Sequence, residues 1–124
     1  MKSNKIKRIK IKNKNSFKLI ERGTKWLEIR LVRGFFADIT NGTVFELYNS
    51  NNSVKVIVEN KQIFNSLEEL LSNRIIRIGS TPHIKDENID MYYRQFYSER
   101  ALKKHKVMVL KINRLFKVDF YIKL

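Results

Sequence analysis

The chain has 124 residues, enough for one domain with a modest hydrophobic core and too few for two independent cores. With 43% hydrophobic and 31% charged residues and no cysteine, the composition excludes a disordered tail, a disulfide framework and thiol chemistry. No apolar run is long enough for a membrane span or a signal peptide, so the sequence predicts a soluble, intracellular protein without membrane insertion.

The net charge of +14 is concentrated at the two ends of the chain. Residues 1–15 contain seven cations and no acid, residues 100–124 contain eight cations and one acid, and the 84 residues between them have eleven of each sign. If the two ends are neighbours in space, they form one basic surface of the kind that binds nucleic acid. Codon bias in an AT-rich genome is an alternative source of the lysines, although it would raise lysine throughout the chain. Binding to an anionic membrane surface is a second alternative.

The first predicted element is an edge strand over residues 5–12, KIKRIKIK, in which charged and apolar residues approximately alternate. Ile9 and Ile11 share the apolar face of this strand. Its cationic face carries Arg8, Lys10 and Lys12.

A short helix over residues 17–22 follows, with Ser16 as its cap and Gly23 as the left-handed residue that ends it. Lys25 then stands where this helix gives way to a second strand. Alternation along that strand places Leu27, Ile29 and Leu31 on one face and Trp26, Glu28 and Arg30 on the other.

Two further sets of strands are predicted. TVFELY and VKVIVE form a hairpin around the polar residues 49–53, after a turn at Asn41-Gly42. Residues 107–112 indicate a buried strand, and residues 113–124 add a half-buried C-terminal strand extension. The whole chain, 1–124, is interpreted as a single domain with a basic N-terminal arm at 1–8.

Two helices are predicted between these strands. Ser66 and Glu69 form a capping box for the first helix, and residues 79–82 predict a loop after it. Asp86 is predicted to cap the second helix. The buried stripe of that helix consists of Ile89, Tyr92, Tyr93 and Phe96.

Several of these motifs, in this order, resemble the ASCH family of the PUA-like superfamily. The matching segments are GTKWLEIRL at 23–31, FNSLEELL at 64–71 after a valine-rich strand, and FYS at 96–98 before the VMVLKI strand. The resemblance covers about residues 9–112. The chain departs from the family at Thr43, where aspartate usually follows the glycine, and at His105-Lys106, where tyrosine and glycine are common.

The resemblance implies an α+β fold: a small, curved, PUA-like β-barrel with short helices at its rim and an extra C-terminal strand. It also implies RNA as the partner, with DNA as an alternative, and a cleft into which Lys25, Glu28 and Arg30 project. Some members of the family are ribonucleases or hydrolases of modified nucleosides. Those that act on acetylated cytidine have threonine where Glu28 stands, which argues against the same amide hydrolysis here.

In a binding module, Lys25 contacts a phosphate, Arg30 holds a phosphate or a base edge, and Glu28 accepts a hydrogen bond from an exocyclic amine. Trp26 or Tyr97 stacks on an unpaired base. Further nucleic-acid contacts are predicted at Arg8, Lys10, Lys12, Arg33, Lys117 and Lys123.

The alternative is an enzyme, either a metal-independent ribonuclease or a hydrolase of a modified nucleoside. The sequence does not decide between binding and catalysis. In that interpretation, partial burial makes Lys25 lose its proton more readily, so that it acts as base or nucleophile. Glu28 moves protons, and Ser98 supplies a hydroxyl group. A third interpretation is a protein-interaction domain whose charge only keeps it in solution.

The same residues also have purely structural interpretations. Glu28 and Arg30, two apart on one strand face, can form an ion pair, Trp26 can belong to the core, and Ser98 can be a helix cap. His83 and His105 are 22 residues apart and no cysteine is present, so the sequence predicts no metal site. None of the four glycines lies in a phosphate-binding loop, and no cofactor is expected.

Overall fold

A computed structural model describes residues 6–115 of the protein. Five strands form one mixed sheet in the order β1-β3-β4-β5-β2, in which β1 runs parallel to β3 and the other pairs are antiparallel. The strands are β1 (Lys7–Lys10), β2 (Leu27–Leu31), β3 (Val44–Asn49), β4 (Asn52–Phe64) and β5 (Val107–Leu115). The helices are α1 (Lys14–Arg22), α2 (Leu67–Leu71), α3 (Arg74–Ser80), α4 (Asp86–Arg94) and α5 (Glu99–Lys104), with a 3-10 turn over Gly34–Ala37.

The sheet curls into a half-barrel around its longest strand, β4. Within the described residues, β4 pairs with β3 over residues 52–57 and with β5 over residues 55–64, so only the short stretch 55–57 pairs with both. The register shifts between Val58 and Asn60, and a bulge of this kind bends a strand and increases its twist. The predicted α+β class is therefore confirmed, with a half-open sheet whose two edge strands are β1 and β2.

The first four residues of β5 are buried on both faces because this part of the strand separates two hydrophobic cores. Met108 and Leu110 point into the first core, and Val107 and Val109 point into the second. The first core also contains Ile11, Phe17, Ile20, Ile39, Phe45, Leu47, Val56, Val58 and Ile112. The second contains Leu27, Ile29, Leu31, Leu67, Leu70, Leu71, Ile76, Ile89 and Tyr93. This arrangement explains why VMVL is continuously apolar instead of alternating.

The start of α1 differs from the prediction. The helix begins at Lys14, and its cap is Asn13, whose side chain accepts a hydrogen bond from the Ser16 backbone N–H at 3.0 Å. Ser16 lies inside the helix and is buried. Asparagine caps a helix as well as serine does, so the prediction of Ser16 as the cap was wrong by one turn. Gly23 ends the helix with φ of 81°, as predicted.

The other predicted helix signals have mixed outcomes. Ser66 accepts a hydrogen bond from the Glu69 backbone N–H at 3.1 Å, which confirms the capping box. Asp86 is the first residue of α4 and not its cap, since Lys85 occupies the cap position without a side-chain hydrogen bond. A carboxylate in the first turn still favours the helix through the positive end of its dipole. The predicted loop at 79–82 is partly helical, because α3 continues to Ser80.

The ends of the described chain test the predicted N-terminal edge strand and part of the predicted C-terminal strand. β1 is an edge strand that pairs only with β3, and Ile9 packs against the first core, as the alternation predicted. Residues 113–115 continue β5 and do not begin a separate strand. The predicted strand over 116–124, with Lys117 and Lys123, and the first five residues of the basic arm lie outside the described residues. Within residues 6–115, no helix is both long and apolar enough to cross a membrane.

Candidate functional site

A cleft of about 360 Å³ lies where the sheet remains open, between its two edge strands. One wall is formed by residues 10–13, at the end of β1, together with Ser16 of α1. The opposite wall is formed by Lys25 and the β2 residues 28–30, with Arg33 beyond them and the segment 92–97 closing the space. The cleft therefore brings the basic N-terminal segment next to the aromatic residues between 92 and 97.

Alternation along β2 determines which side chains reach this cleft. Leu27, Ile29 and Leu31 are buried in the second core, so Glu28 and Arg30 project from the other face, as predicted. Trp26 precedes the strand and packs against the second core without lining the cleft. This position fits the interpretation of Trp26 as a core residue and does not fit base stacking in the cleft.

Lys25 is almost completely buried, with 4% of its surface exposed. Its ammonium group donates to the backbone oxygens of Ser80 at 2.6 Å and Leu27 at 3.0 Å. The same group lies 3.2 Å from Oε1 of Glu28. An ammonium group has three donors, and here each has an acceptor, which leaves none for a phosphate.

Glu28 lies between two cations and is 6% exposed. Its Oε1 faces Lys25, and its Oε2 accepts a hydrogen bond from Nη2 of Arg30 at 3.2 Å. We call Lys25, Glu28 and Arg30 the buried charge triad. Two cations and one carboxylate give the triad a net positive charge, and Arg30 carries this charge toward the cleft because 24% of its side chain is exposed.

The ionisation of the triad contradicts one prediction made from the sequence. Burial is the largest influence on the pKa of Lys25 and lowers it, but attraction to Glu28 and weaker effects of Tyr93 and Tyr92 together outweigh burial and raise that pKa above 10.5. Burial likewise raises the pKa of Glu28, and attraction to Lys25 and Arg30 outweighs it, which holds that pKa below 4.5. The prediction that burial makes Lys25 a ready base or nucleophile is therefore wrong, because its buried counterion keeps the amine protonated.

Arg30 is the triad member best placed to meet a ligand. Its guanidinium lies 4.9 Å from the centre of the Phe36 ring, which holds the planar group over an aromatic face. Burial disfavours its charge, but attraction to Glu28 outweighs burial, so the pKa of Arg30 is raised above its ordinary value. A fixed guanidinium that still has free edges can bind a phosphate or a base edge in two-point fashion.

Tyr97 lines the cleft but has a fixed hydroxyl group. Its Oη donates to the backbone oxygen of Ile29 at 3.1 Å, which closes part of the outer edge of β2. Burial raises the pKa of Tyr97 to about 12, so the hydroxyl remains a donor at neutral pH. Ser98, the next residue, is exposed, and its Oγ accepts a hydrogen bond from the Ala101 backbone N–H at 3.1 Å. Ser98 is therefore the cap of α5 and does not line the cleft.

The cations predicted for nucleic-acid contact divide into two groups. Lys10, Lys12 and Arg33 are exposed and line the cleft. Arg8 does not line it: its guanidinium lies 3.7 Å from Glu46 and 4.3 Å from the centre of the Tyr48 ring. Lys117 and Lys123 lie beyond the last described residue.

Sequence reasoning assigned Phe96 to a buried stripe, and this was wrong. α4 ends at Arg94, so Phe96 follows the helix and is 47% exposed at the cleft. Its ring contacts that of Tyr92, with 5.1 Å between the centroids, and Tyr92 in turn contacts His83. An exposed aromatic ring held by its neighbours at the mouth of a cleft is a surface on which a base can stack. Nothing in the sequence indicated that α4 ends at Arg94, before Phe96.

The described residues contain no candidate metal centre. Among residues 6–115, no three histidine, aspartate or glutamate side chains lie close enough together to hold a metal ion. Tyr93, behind the cleft, is held by a buried chain of hydroxyl groups through Thr81 to Ser80. The residues that line the cleft include the triad, the exposed cations Lys10, Lys12 and Arg33, and the aromatic rings of the segment 92–97.

No family model and no curated protein matches this chain. It is similar to the crystal structure of the hypothetical protein PH0355, with 26% identity and a TM-score of 0.76 over 87% of this chain and 97% of that one. It is also similar to the solution structure of Protein PF0455 from Pyrococcus furiosus, with 25% identity and a TM-score of 0.71 over 90% of this chain and 98% of that one. The chain shares its α+β fold with these two proteins.

Proposed function

We propose that this protein is an RNA-binding module of the ASCH type, in the PUA-like superfamily, and that the cleft receives a base or a phosphate of the RNA. The observation that carries the proposal is the arrangement around Arg30, whose partly exposed guanidinium is flanked by exposed cations on both walls of the cleft. These cations are Lys10, Lys12 and Arg33.

The charges of the cleft favour an anionic ligand. Within the triad, Glu28 lies 3.2 Å from both Lys25 and Arg30, so one carboxylate balances two cations and the triad keeps one net positive charge. A concave site lined by uncompensated cations attracts phosphates and raises their local concentration.

The aromatic residues favour a nucleic acid over a simple anion. Phe96 offers an exposed ring beside the cations, and a base stacked on such a ring contributes about 1 to 3 kcal/mol to binding. Both oxygens of Glu28 are held in place, and their remaining lone pairs can accept from an exocyclic amine of a base. In this arrangement Lys25 is a positioning residue that orients Glu28.

The alternative, a metal-independent ribonuclease or a hydrolase of a modified nucleoside, receives no support from the geometry of the described residues. Lys25 is protonated and has all its donors engaged, and Ser98 caps α5 outside the cleft. Glu28 is the carboxylate that lines the cleft among the described residues, and its lowered pKa makes it a weak base at neutral pH.

The test measures binding and cleavage of labelled single-stranded RNA in the same samples, in the presence of EDTA, by fluorescence anisotropy and gel electrophoresis. The cleft variant is Lys12→Gln with Arg33→Gln, and the matched control is Lys18→Gln with Arg74→Gln, two exposed cations outside the cleft. Each lost phosphate contact lowers affinity about fivefold at ~0.1 M salt, so the cleft variant is expected to bind about 25-fold more weakly than the control.

Three results would contradict the proposal. Affinity that does not change between about 50 and 200 mM salt would exclude phosphate contacts. Cleavage by the wild-type protein would identify an enzyme instead. Failure to bind RNA or single-stranded DNA of the same sequence at low salt would favour a protein-interaction domain.

A further inference from the structure

A second cationic surface lies beside the cleft, on and after α5. The segment 99–106 contains four cations against one acid, Glu99. Lys103 lies 3.6 Å from Glu99, which leaves Arg100, Lys104 and Lys106 without an ion pair among residues 6–115. We call Arg100, Lys104 and Lys106 the α5 track. These three cations were counted in the basic segment 100–124 but were not singled out as contact residues from the sequence.

The segment that carries the α5 track is hydrogen-bonded at both of its ends to β2 or the residue that follows it, beside the cleft. Before the helix, the Tyr97 hydroxyl donates to the backbone oxygen of Ile29 at 3.1 Å. After the helix, the backbone oxygen of Lys106 accepts a hydrogen bond from the Val32 N–H at 2.8 Å. Ile29 and Val32 are three residues apart near the end of β2, or about 10 Å at the rise of a strand. The track therefore continues the cationic wall of the cleft past Arg33.

The composition of α5 favours a phosphate backbone over a membrane or an apolar protein partner. The apolar residues of the helix, Ala101 and Leu102, pack against the second core. Its outer face consists of Glu99, Arg100, Lys103 and Lys104, which line a shallow surface depression. Since this face has no exposed apolar residue to insert into a bilayer or to bury in an interface, its binding energy must come from charge.

We propose that the α5 track binds the phosphates of the RNA segment that leaves the cleft beside Arg33. This inference rests on the proposed function, because it assumes that RNA occupies the cleft. Beyond the proposed function, this inference states that the ligand is a strand of several nucleotides and that the strand leaves the cleft in one direction, toward α5. A mononucleotide or a trinucleotide is expected to occupy the cleft without spanning the track.

The experiment compares two lengths of the same unstructured RNA, a trinucleotide and an oligonucleotide of about 12 nucleotides. The track variant is Arg100→Gln with Lys104→Gln and Lys106→Gln. The matched control is Arg74→Gln with Lys18→Gln and Lys55→Gln, which removes the same charge from exposed positions that do not line the cleft. Both variants keep all buried residues, and their far-UV circular dichroism and melting temperature verify folding.

The track variant is expected to bind the longer RNA up to about 100-fold more weakly than the control at ~0.1 M salt, because three contacts are lost at about fivefold each. Its plot of log affinity against log salt is expected to be shallower by about 2, at ~0.7 per phosphate. The trinucleotide is expected to bind both variants equally.

Equal binding of the longer RNA by the two variants would overturn this inference and leave the cleft proposal standing, provided that the Lys12 and Arg33 variant still binds weakly. A wild-type protein that binds neither RNA would overturn both. If the track variant also loses binding to phosphatidylserine vesicles by the same factor, the track is a general anion-binding surface, and its assignment to RNA falls.

Discussion

The buried charge triad makes a strong prediction about stability. Glu28→Gln keeps the shape of the side chain and removes its charge, so the ammonium of Lys25 remains buried with two carbonyl oxygens and no counterion. Breaking a buried ion pair by removing one partner costs about 3 to 5 kcal/mol, because an uncompensated charge is left inside the protein.

This cost is large compared with the total stability of the chain. At about 0.05 to 0.15 kcal/mol per residue, a protein of 124 residues has a free energy of unfolding of roughly 6 to 19 kcal/mol. Its entropy of unfolding near the melting temperature is about 0.26 kcal/mol/K, at ~2.1 cal/mol/K per residue. The Glu28→Gln variant is therefore expected to melt about 10 to 20 °C below the wild-type protein.

The assay is urea unfolding followed by circular dichroism for Glu28→Gln, Lys25→Met and the double variant. The double variant removes both buried charges, so it is expected to lose less stability than the sum of the two single variants. Glu99→Gln is the matched control, since Glu99 and Lys103 form an ion pair whose side chains are 77% and 78% exposed. If Glu28→Gln costs no more than this control, or if the two single effects simply add, the account of the triad is refuted.

Three further predictions follow from the same structure. Asn13→Ala is expected to cost about 1 kcal/mol in urea unfolding, because it removes the cap of α1, whereas Asn15→Ala, at an exposed position inside the helix, should cost nothing. The pKa of Glu28 is lowered in the folded protein, so its stabilising effect is complete above about pH 4.5 and is lost as the pH falls through the folded value. Melting temperatures measured against pH should therefore fall less steeply in acid for Glu28→Gln than for the wild type, and parallel curves would contradict the assignment. Phe96→Ala is expected to weaken single-stranded RNA binding by about 1 to 3 kcal/mol in fluorescence titrations, and equal losses for Met91→Ala, an exposed position outside the cleft, would argue against stacking.

Local patterns in the sequence were sufficient for the parts of the fold that depend on neighbouring residues. Alternation in β2 correctly separated Glu28 and Arg30 from the core-facing residues, because successive side chains of a strand point to opposite faces. The capping box at Ser66 and the helix end at Gly23 were also correct, since each depends on contacts within one turn.

The errors arose where two local signals competed or where an element ended early. Asn13 and Ser16 are both good caps, and the sequence did not indicate which one the helix uses. Phe96 has the right spacing for the buried stripe of α4, but the helix ends before it, and the ring is left at the cleft. Helix ends are decided by packing as well as by spacing.

The sequence by itself determined that Glu28 and Arg30 share a strand face with Lys25 close by, and that the chain carries a large excess of positive charge. Only the tertiary structure decided what Lys25 does, because the oxygen that holds its ammonium most closely belongs to Ser80, 55 residues away. It also decided that Tyr97 closes the edge of β2 at Ile29, 68 residues earlier in the chain. Hydrogen bonds and ion pairs depend on distances of a few ångströms, and distances between residues so far apart in the chain are set by the packing of the whole fold and not by any local pattern.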